Sequence, residues 1–131
     1  MKYNIIKWLV SVIVLFLFAL TYKIAIAEPF TCDEYEDIKL YSECLITQKW
    51  GNEEWLAFEW IIQKESNWKY TSKNPNSSAY GLPQALTKLH DLPDDYMTNP
   101  KSQIAWGVQY IEDRYGVPSK AKEFHLRNNF Y

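Results

Sequence analysis

The sequence predicts an all-α fold, a small and mainly helical domain with one long loop. Apolar residues recur at helical spacing in several segments, and helix-start signals precede most of these segments. No segment alternates apolar and polar residues regularly enough to predict a strand. The chain has 131 residues, which allows a single domain with a modest hydrophobic core.

The first 27 residues have the layout of a secretory signal peptide. They contain three lysines and no acidic residue, and an apolar run from Trp8 to Tyr22 precedes the small residues Ala25 and Ala27. The alternative is an uncleaved membrane anchor, because residues 8–27 reach the length of about 20 residues that a bilayer requires. Both interpretations predict that residues 28–131 form the domain. Both also place it outside the cytoplasm, either secreted, periplasmic or associated with the cell wall.

The predicted domain is acidic. Without residues 1–27 the chain has 11 basic and 16 acidic residues. A nucleic-acid-binding domain normally presents a strongly basic face. The charge therefore argues against a nucleic-acid partner.

Cys32 and Cys44 are the only cysteines. In an oxidising compartment such a pair is most simply a disulfide, and two free buried thiols are the alternative. Two cysteines and two distant histidines do not form a recognisable zinc ligand set. The sequence predicts a disulfide, and it predicts neither a metal site nor a cofactor.

Two helices are predicted before the loop. Residues 32–46 are acidic and then apolar, which favours a first helix held by the cysteines. Asn52 is predicted to cap a second helix that has acidic residues in its first turn and ends near residue 66. Residues 70–83 follow, rich in Asn, Ser, Pro and Gly, and they predict the long loop.

Two further helices are predicted after the loop. Thr98, Asn99 and Pro100 indicate the start of one, since proline suits a first helical turn, and Gly116 indicates its end. Ser119 is predicted to cap a short last helix that ends near residue 125.

Glu65 is the strongest candidate for chemistry. At 100° per residue, it lies within about 80° of Trp55, Phe58 and Ile62, so it continues an apolar stripe. A carboxyl group in apolar surroundings resists ionisation, which raises its pKa toward the range of a general acid. The alternative is a helix-terminal glutamate that turns into solvent.

Three segments resemble the lytic transglycosylase (SLT-type) branch of the lysozyme-like superfamily. Residues 62–68, IQKESNW, look like its Glu-Ser motif. Residues 76–85, NSSAYGLPQA, are similar to its Ser-x-Ala-x-Gly-Leu-x-Gln segment, and residues 98–116 resemble the helix that follows. The likeness runs from about residue 55 to the end of the chain, with the three motifs in order and at matching spacing.

The resemblance implies a small lysozyme-like domain whose substrate is peptidoglycan. Its members cleave the β-1,4 bond between N-acetylmuramic acid and N-acetylglucosamine with a single catalytic glutamate, which is Glu65 here, and leave 1,6-anhydro ends. Gln84 matches a family glutamine that binds substrate. His125 falls nearest to a family tyrosine that lies close to the acid. We expect no cofactor and a monomer.

Four more residues are candidates for contact with the substrate or the acid. Gly81 would let the loop backbone approach a sugar, although an ordinary turn glycine is the alternative. Trp68 and Tyr80 would stack on sugar rings, or else belong to the core. Ser66 would hold the loop or touch the acid.

Two rival functions remain open at this point. One is a hydrolytic muramidase, in which water replaces the muramyl 6-hydroxyl and Asp91, Asp94 or Asp95 positions that water. The other is a peptidoglycan-binding module without activity. A metal site at His90 and these aspartates is disfavoured, because the segment lacks calcium-loop spacing.

Overall fold

The computed structural model describes residues 2–25 and 31–131, and the side chains of residues 3–17 and 31–131. The chain divides into two compact units, Met1–Thr31 and Cys32–Tyr131. The first contains helix α1, Lys2–Ala25, whose described apolar side chains are exposed. Among the described residues, no helix meets the length and hydropathy needed to cross a bilayer. The predicted cleavage pattern includes Ile26 and Ala27, which lie outside the described residues.

The second unit is mainly α-helical, as predicted. A short 3-10 turn at Cys32–Glu34 leads into four helices, and two strands of two residues each lie between the second and third of them. The helices are α2 (Ile38–Trp50), α3 (Asn52–Ser66), α4 (Pro100–Tyr115) and α5 (Pro118–Asn128). The strands are β1 (Ala79–Tyr80) and β2 (Ala85–Leu86), paired antiparallel.

Local signals explain most helix boundaries. Asp37 caps α2 by accepting hydrogen bonds from the backbone N–H groups of residues 39 and 40. Asn99 caps α4 in the same way, with Pro100 in the first turn, as predicted. Gly116 ends α4 with a positive φ of 82°, which glycine adopts without a steric penalty.

Two predicted caps are wrong. Asn52 is the first residue of α3 rather than its cap, and Gly51 takes the cap position without a side-chain hydrogen bond. Ser119 lies inside α5, which begins at Pro118. The Glu54 carboxylate accepts hydrogen bonds from the backbone N–H and the hydroxyl of Ser119, at 2.7 and 2.8 Å. A residue on another helix therefore supplies the negative charge that the start of α5 favours.

The helices pack around one hydrophobic core. Its fully buried members come from every helix of the unit and from the loop, and include Ile46, Phe58, Ile62, Leu82, Ile104, Ile111 and Ala121. The predicted disulfide between Cys32 and Cys44 is present and joins the 3-10 turn to α2, with a Cα–Cα distance of 5.6 Å. Helix α3 packs against α2 on one side and α5 on the other.

A buried glutamine on α4 organises the long loop. Gln103 is fully buried, and its Oε1 accepts a hydrogen bond from the Leu82 N–H at 2.8 Å. Its Nε2 donates to the carbonyl oxygens of Tyr70 and Tyr96, at 3.0 and 2.8 Å. Three loop backbone groups therefore converge on one side chain, which satisfies polar groups that would otherwise be costly to bury.

The short strands were not predicted. Each contains two residues, which is too short for an alternating pattern to be recognised. They pair within the loop, and the loop residues Asn74, Ala79 and Gln84 line the same cavity as Glu65. The loop is therefore an ordered wall next to Glu65.

Candidate active site

Glu65 occupies the last turn of α3, where the buried stripe of that helix reaches the surface. Trp55, Phe58 and Ile62 are buried, and Glu65 follows Ile62 by three residues on the same face. Its side chain keeps 18% of its exposure. The helix ends just beyond it, because Asn67 and Trp68 both adopt positive φ angles and redirect the chain into the loop.

His125 contacts the Glu65 carboxyl group. Its Nε2 lies 2.9 Å from Glu65 Oε1, and the His125 side chain is only 15% exposed. Helix α5 positions this ring, since His125 lies one turn after the fully buried Ala121. The Trp60 ring meets the His125 ring edge to face at 5.2 Å, which fixes the imidazole from the side of α3.

The surroundings of Glu65 raise the pKa of its carboxyl group above the ordinary value of 4.5. Burial is the dominant cause, because it disfavours the charged form. The charge of His125 and its hydrogen bond act in the opposite direction and favour the carboxylate. The net effect extends the pH range in which Glu65 retains a proton.

A cavity of about 330 Å³ opens at Glu65. The loop and the residues after α5 provide its other walls, namely Asn74, Ala79, Pro83, Gln84, Leu86, Asn129, Phe130 and Tyr131. Among these described wall residues, Glu65 is the only one with a carboxyl side chain. A proton on Glu65 therefore faces a space that a ligand can enter.

Gln84 lies in the wall of this cavity with a constrained side chain. Its backbone adopts a positive φ of 52°. The side-chain Nε2 donates to the carbonyl oxygens of Gly81 and Ser72, at 2.8 and 3.2 Å. Since both of these bonds use the amide nitrogen, the orientation of the amide is set, and its carbonyl oxygen is the group available to accept from a ligand.

Other predicted site residues lie away from this cavity. Ser66 is buried, and its hydroxyl donates to the Ile62 carbonyl oxygen at 3.1 Å, so it holds the helix end. Trp68 packs against the core, with its ring 6.1 Å from that of Trp55. The Tyr80 hydroxyl donates to the Met97 carbonyl oxygen at 3.2 Å, and the side chain lines a different cavity.

Gly81 has a structural reason to be glycine. Its φ is +84°, and a Cβ atom at this position would lie 2.7 Å from the side chain of Gln103. The close approach that requires glycine is thus to a protein side chain in the core. Gly81 does not line the Glu65 cavity.

Tyr131 is a site residue whose role the sequence did not indicate. Its hydroxyl donates to the Pro83 carbonyl oxygen at 2.9 Å, and its ring lies 6.4 Å from that of His125. Burial raises the pKa of this hydroxyl well above 10, so it stays protonated and remains a donor. The aromatic residues at 130 and 131 were noticeable in the sequence, but their contact with the loop depends on the tertiary fold.

The aspartates considered for the muramidase alternative lie elsewhere. Asp91, Asp94 and Asp95 are absent from the walls of the Glu65 cavity. Asp95 instead accepts hydrogen bonds from Asn99 Nδ2 and from the Ser102 hydroxyl, at 2.7 and 2.8 Å, which lower the pKa of its carboxyl group. Within the described residues, no group of three or more potential metal ligands is present.

The site therefore combines a carboxyl group with a raised pKa, a histidine partner and a cavity walled by an ordered loop. Such an arrangement can deliver a proton to a bound group and take one back. Comparison with known proteins identifies no relative, since no family model, curated protein or solved structure matches the chain.

Proposed function

We propose that the domain is a peptidoglycan lytic transglycosylase, an enzyme that cleaves glycan strands and leaves 1,6-anhydro-muramyl ends. The observation that carries this proposal is Glu65, a half-buried carboxyl group with a raised pKa that faces a cavity and has no second carboxylate side chain beside it in the described wall. The resemblance of the three sequence segments to that family supports the same assignment.

The reaction uses Glu65 twice. Its carboxyl group first donates a proton to the oxygen of the β-1,4 linkage, and the bond from that oxygen to muramyl C1 breaks with oxocarbenium character. The resulting Glu65 carboxylate then removes the proton from the muramyl 6-hydroxyl, whose oxygen attacks C1 and closes the anhydro ring. Glu65 ends the cycle protonated, so the step consumes no water and needs no cofactor.

The absence of a second carboxylate side chain in the described wall favours this route over hydrolysis. An inverting hydrolase uses a second carboxylate to activate water, and a retaining one uses it as nucleophile. The intramolecular 6-hydroxyl needs neither of these, because the substrate supplies its own nucleophile. Gln84 would hold the sugar through its carbonyl oxygen.

The proposed partner is the glycan strand of the cell wall, and the proposed location is extracytoplasmic. The Cys32–Cys44 disulfide supports this location, because disulfides persist in oxidising compartments. A tether through residues 8–27 remains part of the proposal. We expect the domain to act as a monomer, since one chain contributes every group used in the reaction.

Mass spectrometry of muropeptides released by the purified protein tests this function. We expect products one water lighter than those of a muramidase. Changing Glu65→Gln should lower the rate by about 10²–10⁴-fold or more, because the general acid is lost. Glu53→Gln is the matched control, since Glu53 is an exposed glutamate in the first turn of the same helix.

Three results would contradict the proposal in different ways. Products with ordinary reducing ends would identify hydrolysis instead of transglycosylation. Equal release of muropeptides by the parent protein and the Glu65→Gln protein would exclude Glu65 as the acid. If the parent protein binds peptidoglycan but releases no fragment, the domain is a binding module.

A further inference from the structure

A second cavity adjoins the one at Glu65. It has a volume of about 290 Å³ and shares five wall residues with the first, namely Pro83, Gln84, Leu86, Phe130 and Tyr131. The two cavities thus lie side by side along the loop. A polymeric ligand held at Glu65 would extend into this second space.

Three aromatic rings line the second cavity on the side of α4. Trp106 and Tyr110 lie one turn apart and stack with ring centroids 5.1 Å apart and an interplanar angle of 18°. The His90 ring meets both, at 5.1 and 5.5 Å. The Trp106 Nε1 donates to the Asp91 carbonyl oxygen at 3.3 Å. Half-buried rings that are held in place at a groove provide the amphipathic surface on which sugar rings pack.

Arg114 adds a positive charge to this wall. It is exposed, and its Nη1 donates to the Tyr110 hydroxyl at 2.6 Å. A guanidinium group has five N–H donors in a planar fork, so the one bond to Tyr110 leaves donors that can bind a carboxylate. The groove thus has the acid Glu65 in one cavity and a guanidinium group in the other.

We propose that the second cavity is a binding site for a neighbouring sugar that carries a peptide stem. The sugar packs against Trp106 and Tyr110, and Arg114 binds a carboxylate of the stem. This inference rests on the proposed function, because it names the substrate form that the same groove prefers. It makes Arg114 a specificity-determining residue that takes no part in the bond cleavage.

The test compares two soluble murein oligosaccharides, one with stem peptides and one from which an amidase has removed them. Affinities are measured by calorimetry in the full-length Glu65→Gln protein, where no turnover is needed. We expect tighter binding of the stem-bearing ligand. Adding Arg114→Gln should lower the affinity for the stem-bearing ligand on the order of tenfold, as for loss of one charge-assisted hydrogen bond. The affinity for the bare glycan should stay unchanged.

Arg127→Gln is the matched control, because Arg127 is an exposed arginine on α5 that lines neither cavity. Adding Trp106→Leu should lower the affinity for both ligands, since the Trp106 ring contacts the sugar that both ligands contain. Equal effects of Arg114→Gln on both ligands, or an effect no larger than that of Arg127→Gln, would overturn the proposal.

Failure of the function and failure of the site give different patterns. If parent protein releases no anhydro product but the stem preference depends on Arg114, the function fails and the site stands. If anhydro product forms and the Arg114→Gln change is neutral for both ligands, the function stands and the site fails.

Discussion

Two opposing influences act on the Glu65 carboxyl group. Burial raises its pKa, whereas the hydrogen bond and charge of His125 lower it. A general acid must be protonated before it reacts and must hold the charge afterwards, so both influences serve the proposed reaction. Burial favours the starting form, and His125 favours the carboxylate that exists once the proton has left.

Changing His125→Phe tests this division at the residue scale. Activity needs protonated Glu65 and should fall as the pH rises through the pKa of that group. Phenylalanine removes both lowering influences, so the pKa rises further and the alkaline limb of the kcat/KM profile should move to higher pH. The readout is the pH profile of muropeptide release, compared with Lys120→Gln, which removes an exposed charge from the same helix.

An alkaline limb that stays in place or moves to lower pH in the His125→Phe protein would contradict this role. A uniform loss of rate at every pH would mean that His125 only packs beside Trp60 and does not tune the pKa of Glu65. Its ring also contacts the cavity wall at Tyr131, so the thermal unfolding of the variant should be recorded together with the profile.

Residues differ in how far their roles could be predicted from sequence. The position of Glu65 on the apolar stripe of α3 follows from helical periodicity, which is a local property. Trp68 and Tyr80 were equally visible as aromatic residues, yet one packs in the core and the other bonds to Met97. Helical periodicity does not extend into the loop, so the direction of a loop side chain depends on distant contacts.

At the scale of elements, the loop between α3 and α4 depends on one buried side chain. Gln103 binds three backbone groups of the loop and packs against Gly81. Gln103 lies four residues before Gly107 on the same face of α4, and both residues are buried. The partners of Gln103 could not be deduced, since they lie between 7 and 33 residues away.

Changing Gly81→Ala should loosen this loop. The added Cβ would lie 2.7 Å from the Gln103 side chain at a φ of +84°, so both a clash and backbone strain result. We expect a loss of about 1–3 kcal/mol in the free energy of unfolding, measured by denaturant titration.

Gly116→Ala separates the two effects. Gly116 has a similar φ of +82° with nothing within 4 Å of an added Cβ, so it reports backbone strain without the clash. Gly81→Ala should therefore be the more destabilising of the two. Equal losses in free energy of unfolding would mean that the clash with Gln103 does not add to the backbone strain at Gly81.

Helix ends show the same contrast between local and distant information. The cap at Asn99 was predictable because the capping side chain and the N–H groups it accepts from are two and three residues apart. The start of α5 was not, because its partner Glu54 is 65 residues from Ser119. A tertiary contact can therefore replace a local capping residue at a helix start, as Glu54 does for α5.

For the whole molecule, the disulfide should stabilise the fold without taking part in the chemistry. It closes a loop of 12 residues in sequence and lies on α2, whereas Glu65 and His125 belong to α3 and α5. Changing both Cys32→Ser and Cys44→Ser should lower the free energy of unfolding by roughly 2–3 kcal/mol.

The measurement is denaturant unfolding of the parent protein and the double variant, each with and without reductant. Reductant should lower the free energy of unfolding of the parent protein and leave that of the double variant unchanged. Activity well below the unfolding midpoint should be similar in the two proteins. A variant that remains folded but has lost activity would show that the disulfide shapes the groove.

The mainly helical class of the whole unit was predictable from composition, periodicity and helix-start signals, and so was the disulfide. The groove was not, because three separate parts of the chain form it: the end of α3, the loop, and the residues after α5. Convergence of segments this far apart in sequence leaves no local pattern to recognise.

The partial burial of Glu65 means that folding of the domain takes up a proton at pH values between the unfolded and the folded pKa of this group. In the unfolded chain this carboxyl group ionises near its ordinary value of 4.5, and in the folded protein its pKa is higher. Between these two values the native state binds more protons, so the contribution of Glu65 to stability is complete below pH 4.5 and declines as the pH rises through the folded pKa. The native structure therefore binds the proton needed for cleavage more tightly than the unfolded chain does.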